Sequence, residues 1–466
     1  MRSLPFRWLG PTLAAMAAGV TLIASPAARA QDTQYWSDAY GMQARLLGGV
    51  VIGSDEDISA VYYNPGAVAL ADSLQLLISL NALRYAQIGF AASTVPSIPA
   101  SSGWSALSNM FAGVLPIGGR DTHQRVAYSI LTRQSFTFGA QIRDIPLDSF
   151  TPVQPPPPTT SVGNALVNQS LAETWAGVTY SRERGDHWGF GASLFIPIRS
   201  QTWSQSSSAQ VVNGLGQTAL AVKEYDFSYY NWSLLLKLGA EYQATHWSAG
   251  LTITTPRLSL FGGADAGANR SFINQGVTGG ADTSQIATNY QQKLGATYHS
   301  PLSVGVGYGY RWEQTRIDMS AEWFAAVPEY TIIPALSFTP QTGGTDTIPM
   351  ALTSRSRAVF DWGVGLQHRF SAHWNIYGAF RTDNSSVPPA PYVPVGTLVN
   401  WNLNHADAGV QATIVRAAVI LGLDVAWGSK ANVSAAGAPP PGLPDIPPLA
   451  ESFFSITGAI GFRFVY

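Results

Sequence analysis

Lysine and arginine residues occupy alternate positions in several apolar segments of the chain, where they could bind an anionic group. Lys237 stands among Leu234, Leu236 and Leu238, so in an extended segment its ammonium points away from the apolar face. Such a cation could bind the head group of an anionic ligand. It could equally pair with a carboxylate on a neighbouring strand, because an unpaired buried charge is costly. Both alternatives stay open for every cation placed in this way: Lys237, Arg125, Arg133, Arg257, Arg316 and Arg369. We predict ligand contacts for Lys237, the best candidate, and for Arg316.

Sequence patterns for catalysis or metal binding are absent or weak. No Gly-x-Ser-x-Gly elbow, HExxH motif, phosphate loop or calcium loop occurs. His123 and His405 have Ser and Asn nearby, but such neighbours are common in any sequence. The chain has no Cys, which excludes disulfides and thiolate metal sites. We therefore predict no enzyme activity, no cofactor and no metal site.

The first thirty residues have the features of a secretory signal peptide. A charged start is followed by an apolar run at 9–24 and by the small-x-small cleavage site Ala28-Arg29-Ala30. We predict a signal peptide over residues 1–30. Removing its three Arg leaves 26 − 3 = 23 basic residues against 28 acidic ones, a net charge of −5. This charge does not fit a nucleic-acid-binding protein, which would be basic.

Low charge and a period of two residues point to a membrane β-barrel. Only 12% of the residues are charged, against roughly 25% in soluble domains. A soluble β-sandwich also alternates, but its solvated face would be rich in Lys, Glu and Thr, whereas the second face here is Gly, Ser and Gln. The alternation fits strands with one face in lipid and one towards a lumen. It is clearest at the C-terminus, where one face holds Phe454, Ile456, Gly458, Ile460, Phe462, Phe464 and Tyr466.

We predict an all-β fold, a transmembrane antiparallel β-barrel of about 14 strands. Short and long connections alternate, as in outer-membrane barrels with both termini in the periplasm. One short turn is predicted at Gln134 and one long connection at 91–123. The predicted strands lie near 74–90, 124–133, 135–144, 170–182, 187–199, 225–241, 246–260, 297–311, 315–324, 355–369, 373–382, 405–415, 417–428 and 452–466.

The first long connection contains a second candidate site for a ligand. Trp104, Leu107, Met110 and Phe111 have helical spacing and would form one apolar face of an external helix. An apolar helix face outside the membrane is expected only where a ligand or another part of the protein covers it. It could capture a hydrophobic ligand, or it could pack on neighbouring loops. We name these four residues as substrate-binding candidates.

The segment before the first strand lacks sustained alternation and has a distinctive motif. In "AVYYNPGAVAL" the residues Tyr62, Tyr63, Asn64, Pro65 and Gly66 join an aromatic pair to an Asn-Pro turn. This motif resembles the N-terminal motif of the FadL-type family of outer-membrane transporters for long-chain fatty acids and hydrocarbons. Gly66 stands where that family usually has Ala.

The resemblance implies a domain organisation. In that family the motif sits in an N-terminal hatch, or plug, inside the lumen of a fourteen-strand barrel. We therefore expect a hatch over 31–72 and an outer-membrane barrel over 73–466. A barrel of this size without a plug would leak.

The resemblance also implies a function. Hydrophobic compounds would be captured by external loops, the hatch would move, and the ligand would leave laterally through the barrel wall. The expected partners are a fatty acid or hydrocarbon ligand and outer-membrane lipid with lipopolysaccharide. No nucleic acid is expected, and the chain is expected to be a monomer. The alternatives are a general porin for polar solutes and an adhesin or receptor barrel.

Overall fold

The computed structural model of the 466-residue chain describes ten ranges of residues. The predicted signal peptide lies outside them. Within the described ranges, no helix is long and apolar enough to cross a membrane. The ranges are 33–54, 56–71, 75–92, 98–116, 123–145, 160–275, 283–388, 401–414, 417–433 and 449–465.

Almost all of the regular structure is strand, as the period of two residues predicts. The strands are β1 (Gln75–Ala92), β2 (Ile98–Pro116), β3 (Gln124–Ile145), β4 (Thr160–Arg184), β5 (Trp188–Val212), β6 (Thr218–Gln243), β7 (Trp247–Thr254), β8 (Leu258–Asn274), β9 (Thr283–Gly295), β10 (Ser303–Trp312), β11 (Thr315–Phe324), β12 (Val327–Ile333), β13 (Leu352–Ser356), β14 (Val359–Arg369), β15 (Trp374–Asp383), β16 (Leu403–Ile414), β17 (Ala417–Val433) and β18 (Leu449–Val465).

Fourteen of these strands form one closed antiparallel ring. β1 to β7 follow one another, β10, β11 and β14 to β18 complete the order, and β18 pairs with β1. The prediction of an antiparallel barrel of about 14 strands is confirmed. Closure joins the last strand to the first, which suits a membrane because lipid offers no hydrogen bonds to a free sheet edge.

The outer face of the ring is apolar over the height of a membrane. On β5 the exposed side chains are large and apolar from Trp188 to Ile196 and become Ser200 and Thr202 further along. About ten residues of a tilted strand cross the hydrocarbon core of a membrane. The inner face of the same strand carries the buried residues Ser193, Phe195 and Arg199.

The region between 91 and 145 differs from the prediction. The predicted long connection at 91–123 contains β2, and the two predicted strands 124–133 and 135–144 are the single strand β3. The predicted turn at Gln134 was wrong. β3 passes this point with only a shift of register against β4, between Thr132 and Gln134. Among the fourteen strands of the ring, one was missed and one was divided, so the predicted number of ring strands remained correct.

The predicted external helix was also wrong. Trp104, Leu107, Met110 and Phe111 all lie in β2, because Ile98–Gly113 pairs with β1 as a strand. Consecutive strand residues face opposite sides, so Met110 is buried whereas Phe111 is 38% exposed. The side chains of Trp104 and Leu107 lie outside the described part of the structure.

Two hairpins stand beyond the ring at the end with the long connections. β8 continues along β6 after a break at 255–257 and pairs with β9, while β12 pairs with β13. Between these hairpins the chain turns towards the bore. Asn231, buried on the inner face of β6, donates from Nδ2 to Ala296 O at 3.0 Å. Thr297 N donates to Ile332 O at 3.0 Å.

Candidate functional site

The N-terminal segment, residues 33–71, lies inside the ring. It contains two short helices, α1 (Gln43–Leu46) and α2 (Ala60–Tyr63), and a 3₁₀ turn at Ala67–Ala69. Its backbone is hydrogen-bonded to inward-facing side chains of strands on several sides of the ring, so it fills the bore. These side chains are Ser79 on β1 (to Gly41 O, 2.9 Å), Ser193 on β5 (to Val61 O, 2.7 Å), Ser248 on β7 (to Gly53 O, 2.6 Å) and Ser320 on β11 (from Ile52 N, 3.1 Å).

A buried carboxylate organises the first half of this segment. Asp57 Oδ2 accepts hydrogen bonds from Met42 N at 2.8 Å and Gln43 N at 2.9 Å, and Oδ1 accepts one from Ser59 N at 2.8 Å. Amide groups at the start of α1 lack partners within the helix, so the carboxylate satisfies them. Asp57 thereby links the start of α1 to Ser59, the residue directly before α2.

The motif Tyr62–Gly66 packs directly on the wall. Asn64 Nδ2 donates to Ile52 O at 2.8 Å and to Ala240 O at 3.1 Å, and Asn64 Oδ1 accepts from Gly66 N at 3.1 Å. Gly66 has an ordinary φ of −65°. A methyl group there would lie 2.7 Å from the Gly189 carbonyl oxygen. Close approach to the wall accounts for glycine at this position.

An inner cavity of about 70 Å³ lies between this segment and strands β3, β4, β6, β7, β10 and β11. Three of its lining residues are cationic and two are anionic, which gives a net charge of 3 − 2 = +1. The lining is Tyr35, Tyr62, Arg133, Gln134, Glu173, Trp175, Leu235, Lys237, Thr254, Arg257, Tyr298, Ser300, Pro301, Ser303, Glu322 and Phe324.

Lys237 points into the inner cavity and contacts the motif. Its ammonium nitrogen lies 4.8 Å from the centroid of the Tyr62 ring, and its side chain is buried. Burial raises the pKa of Tyr62 to about 12, so the Tyr62 hydroxyl is neutral. The contact is therefore a cation–π interaction that leaves the positive charge of Lys237 uncompensated by Tyr62. The role of Lys237 in ligand binding stays a prediction.

Arg133 adds a second cation to the lining of the inner cavity. Its Nη2 donates to Tyr35 O at 2.5 Å, and its guanidinium lies 5.9 Å from the Trp175 ring. Its Nη1 is buried without a hydrogen-bond partner among the described residues. An anionic group in the cavity would meet both an ammonium and a guanidinium with a spare donor.

An outer cavity of about 70 Å³ adjoins the inner one and shares Tyr35, Tyr298 and Pro301 with it. Arg199 and Arg355 line it, and its described lining includes no carboxylate. The remaining lining residues are Thr33, Gln201, Phe227, Tyr229, His299, Val327, Tyr330, Ile332, Leu352, Thr353, Ser354, Ser356, Ser386 and Val387. The two cavities follow one another along the bore.

Arg316 lines neither cavity. Its Nη1 lies 2.8 Å from Glu56 Oε1, and its Nε lies 3.0 Å from Asp318 Oδ1. It therefore joins the N-terminal segment to β11, which corresponds to the ion-pair alternative for inward cations. A ligand contact by Arg316 stays a prediction.

The wall itself parts between β2 and β3. These strands pair only over Met110–Pro116 and Arg125–Leu131. Further from the turn, described residues of β2 pair with β1 and those of β3 pair with β4. Met110 forms the last pair before the parting, with Leu131. Of the substrate-binding candidates in β2, Met110 thus lies at the edge of this opening, and Phe111 faces outwards.

Several cavity residues carry weak sequence signals or none. Trp175 shares the inward face of β4 with Glu173, so strict alternation could have identified it. Tyr35 and Tyr298 lie in segments without regular structure, where no periodicity indicates the direction of a side chain. Only the fold places these two tyrosines at the boundary between the cavities.

Comparisons by sequence and by structure give different results. No family model and no curated protein matches the sequence. By structure, the chain is similar to the toluene transporter TbuX of Ralstonia pickettii, with a TM-score of 0.55 and 14% identity, over 92% of this chain and 99% of that chain. It is also similar to the toluene transporter TodX of Pseudomonas putida, with a TM-score of 0.54 and 14% identity, over 93% and 100%. A FadL homologue of Pseudomonas aeruginosa aligns with a TM-score of 0.54 and 12% identity, over 95% and 100%. The chain therefore has the barrel fold of these solved structures along nearly its whole length.

Proposed function

We propose that this protein is an outer-membrane channel that takes up hydrophobic compounds, long-chain fatty acids or hydrocarbons. One observation carries the proposal: the bore is filled by the chain's own N-terminal segment, and two adjoining cavities lined with rings and cations lie beside it. A porin for polar solutes would keep a water-filled bore instead. The proteins of similar fold named as toluene transporters support this class of ligand.

In this proposal residues 31–72 act as a hatch that moves during transport. Each cavity holds about 70 Å³. An engineered cavity of about 150 Å³ is known to take up benzene, so either cavity must expand to admit a longer molecule. The N-terminal segment forms part of both linings, through Tyr35, Thr33 and Tyr62. Its displacement is the change that enlarges the cavities.

The ligand leaves laterally, through the parting of β2 and β3. Met110 borders this opening, and Gly139 lies on the part of β3 that pairs with β4 alone. A hydrophobic molecule that leaves here passes from the bore into lipid without crossing water. The proposal includes both termini in the periplasm, a cleaved signal peptide over 1–30, contact with lipid and lipopolysaccharide, and a monomeric barrel over 73–466.

The cations of the inner cavity favour fatty acids over hydrocarbons. Lys237 and Arg133 line this cavity together with Trp175 and Leu235. A carboxylate would neutralise the excess positive charge, and the hydrocarbon tail would contact the apolar side chains. A hydrocarbon would leave the charge of the cavity uncompensated.

Uptake into liposomes tests the function. Purified protein is reconstituted, and entry of a fluorescent long-chain fatty acid is compared with liposome swelling in sugars of increasing size. We expect faster fatty acid entry than in protein-free liposomes, and no sugar-dependent swelling. Rapid swelling with sugars and no acceleration of fatty acid entry would favour the porin alternative.

A further inference from the structure

Two arginines, one in each cavity, are joined by one carboxylate and one aromatic ring. Arg199 Nη1 lies 3.1 Å from Glu173 Oε2, and Arg257 Nη2 donates to Glu173 Oε1. The centroid of the Tyr298 ring lies 4.1 Å from Arg199 Cζ and 5.1 Å from Arg257 Cζ. Arg199 lines the outer cavity, Arg257 lines the inner one, and Tyr298 lines both. The group therefore bridges the boundary between the cavities.

This cluster carries excess positive charge in a buried position. The side chains of Arg199, Arg257 and Glu173 are 2%, 6% and 1% exposed. The two guanidinium groups and the carboxylate of this cluster together carry a net charge of 2 − 1 = +1, and buried charge is costly. Arg257 Nε and Nη1 are buried without a partner among the described residues. Charge and free donors both point to an anionic ligand group at this place.

The ring of Tyr298 holds the guanidinium groups without neutralising them. Stacking on an aromatic face is a favourable contact for a planar guanidinium group. Arg199 also donates to the neutral side chains of Tyr229, Gln134 and Gln201, so an acidic head group would replace one of these partners. The inward turn of the chain at 296–298 brings this ring between the two arginines. Trp175 also contacts Arg257, with its ring centroid 5.6 Å from Arg257 Cζ. Arg257 is thus held by two rings and one carboxylate.

We propose that Arg199, Glu173, Arg257 and Tyr298 form a transfer site that passes the acidic head group of an amphiphile from the outer cavity to the inner one. The proposal rests on the proposed uptake function and adds the residues that conduct the charged end of the ligand. Arg199 receives the head group, Arg257 takes it over at the boundary, and Lys237 holds it in the inner cavity. Glu173 and Tyr298 are positioning residues, because they set the spacing of the two guanidinium groups.

The test compares a long-chain fatty acid with its methyl ester, which has the same tail and no charge. Uptake of both into liposomes is measured for the Arg199→Gln, Arg257→Gln, Tyr298→Leu and Tyr298→Phe variants. Arg270→Gln is the matched control, because Arg270 pairs with Asp346 at 2.8 Å and lines neither cavity. Heat-modified migration in gels establishes that each variant forms a barrel.

We expect Arg199→Gln, Arg257→Gln and Tyr298→Leu to slow uptake of the acid by about tenfold, the effect of losing one charge-assisted hydrogen bond. Uptake of the ester should stay unchanged, and Tyr298→Phe should behave as wild type because it keeps the ring. Equal slowing of acid and ester, or no change in either, would overturn the transfer site while leaving the uptake function in place. Wild-type protein that takes up neither ligand would overturn the uptake function, and the transfer site with it.

Discussion

Aromatic rings contact four of the cations that line the two cavities. Lys237 lies over Tyr62, Arg133 and Arg257 lie near Trp175, and Arg199 stacks on Tyr298. A ring shields a buried cation from apolar surroundings, yet it leaves the charge available to an incoming anion. Arg316, in contrast, is bound by two carboxylates and serves to hold the N-terminal segment. Contact with an aromatic ring therefore marks the cations that face a ligand, whereas pairing with two carboxylates marks Arg316 as structural.

Lys237→Gln should weaken binding of a fatty acid by about tenfold, because an ammonium–carboxylate contact is replaced by a neutral one. Binding of the methyl ester should be unaffected. Fluorescence titration of the purified protein measures both affinities. Lys223→Gln is the control, since Lys223 lies on the same strand but outside both cavity linings. Equal affinities for the acid in wild type and Lys237→Gln would remove Lys237 from the binding site.

Small residues allow the N-terminal segment to approach the inner wall of the ring closely. The turn at Asn64–Gly66 sits against the backbone of β5 and β6, where the wall presents Gly189 and Gly239. The inward face of the strands is rich in glycine because the N-terminal segment needs that room. The segment is therefore seated by shape as well as by hydrogen bonds from Asn64.

Gly66→Ala should loosen the fit of the N-terminal segment in the bore, because the added methyl group would clash with the wall. Overpacking of this kind costs about 1–3 kcal/mol. We expect more frequent current openings in planar bilayers than for wild type. Gly295→Ala is the matched control, because a methyl group at Gly295 meets nothing within 4 Å. A quiet bilayer record for Gly66→Ala, identical to that of Gly295→Ala, would contradict a close fit at this turn.

The whole molecule consists of the ring and the N-terminal segment, and the segment depends on the ring more than the ring depends on the segment. The fourteen strands of the ring pair with one another, so the ring closes without help from the N-terminal segment. The segment has only two four-residue helices and a 3₁₀ turn, and it takes its shape from the inner wall. Removal of the segment should therefore leave a barrel.

Deletion of residues 31–70 behind an intact signal sequence should produce a stable, open pore. The expected result in planar bilayers is a large, steady conductance that the full-length protein lacks, because water then fills the bore. Circular dichroism serves as the control for retained strand content. Conductance equal to that of the full-length protein would show that this segment does not close the bore.

The period of two residues predicted most strands of the ring, their lipid-facing side and hence the barrel, since a lipid environment imposes that pattern on the strands that it surrounds. The sequence alone also marked Tyr62–Gly66 as distinctive and Lys237 as an inward cation. It could not identify β2, because Trp104, Leu107, Met110 and Phe111 have helical spacing and do not alternate, and β2 pairs with β1 through several shifts of register. The tertiary structure alone decided which charges are paired, as with Arg316 and Glu56, and which meet at the cavity boundary, as with Arg199 and Arg257. These partners lie far apart in the chain, and ring closure brings them within a few ångströms of each other.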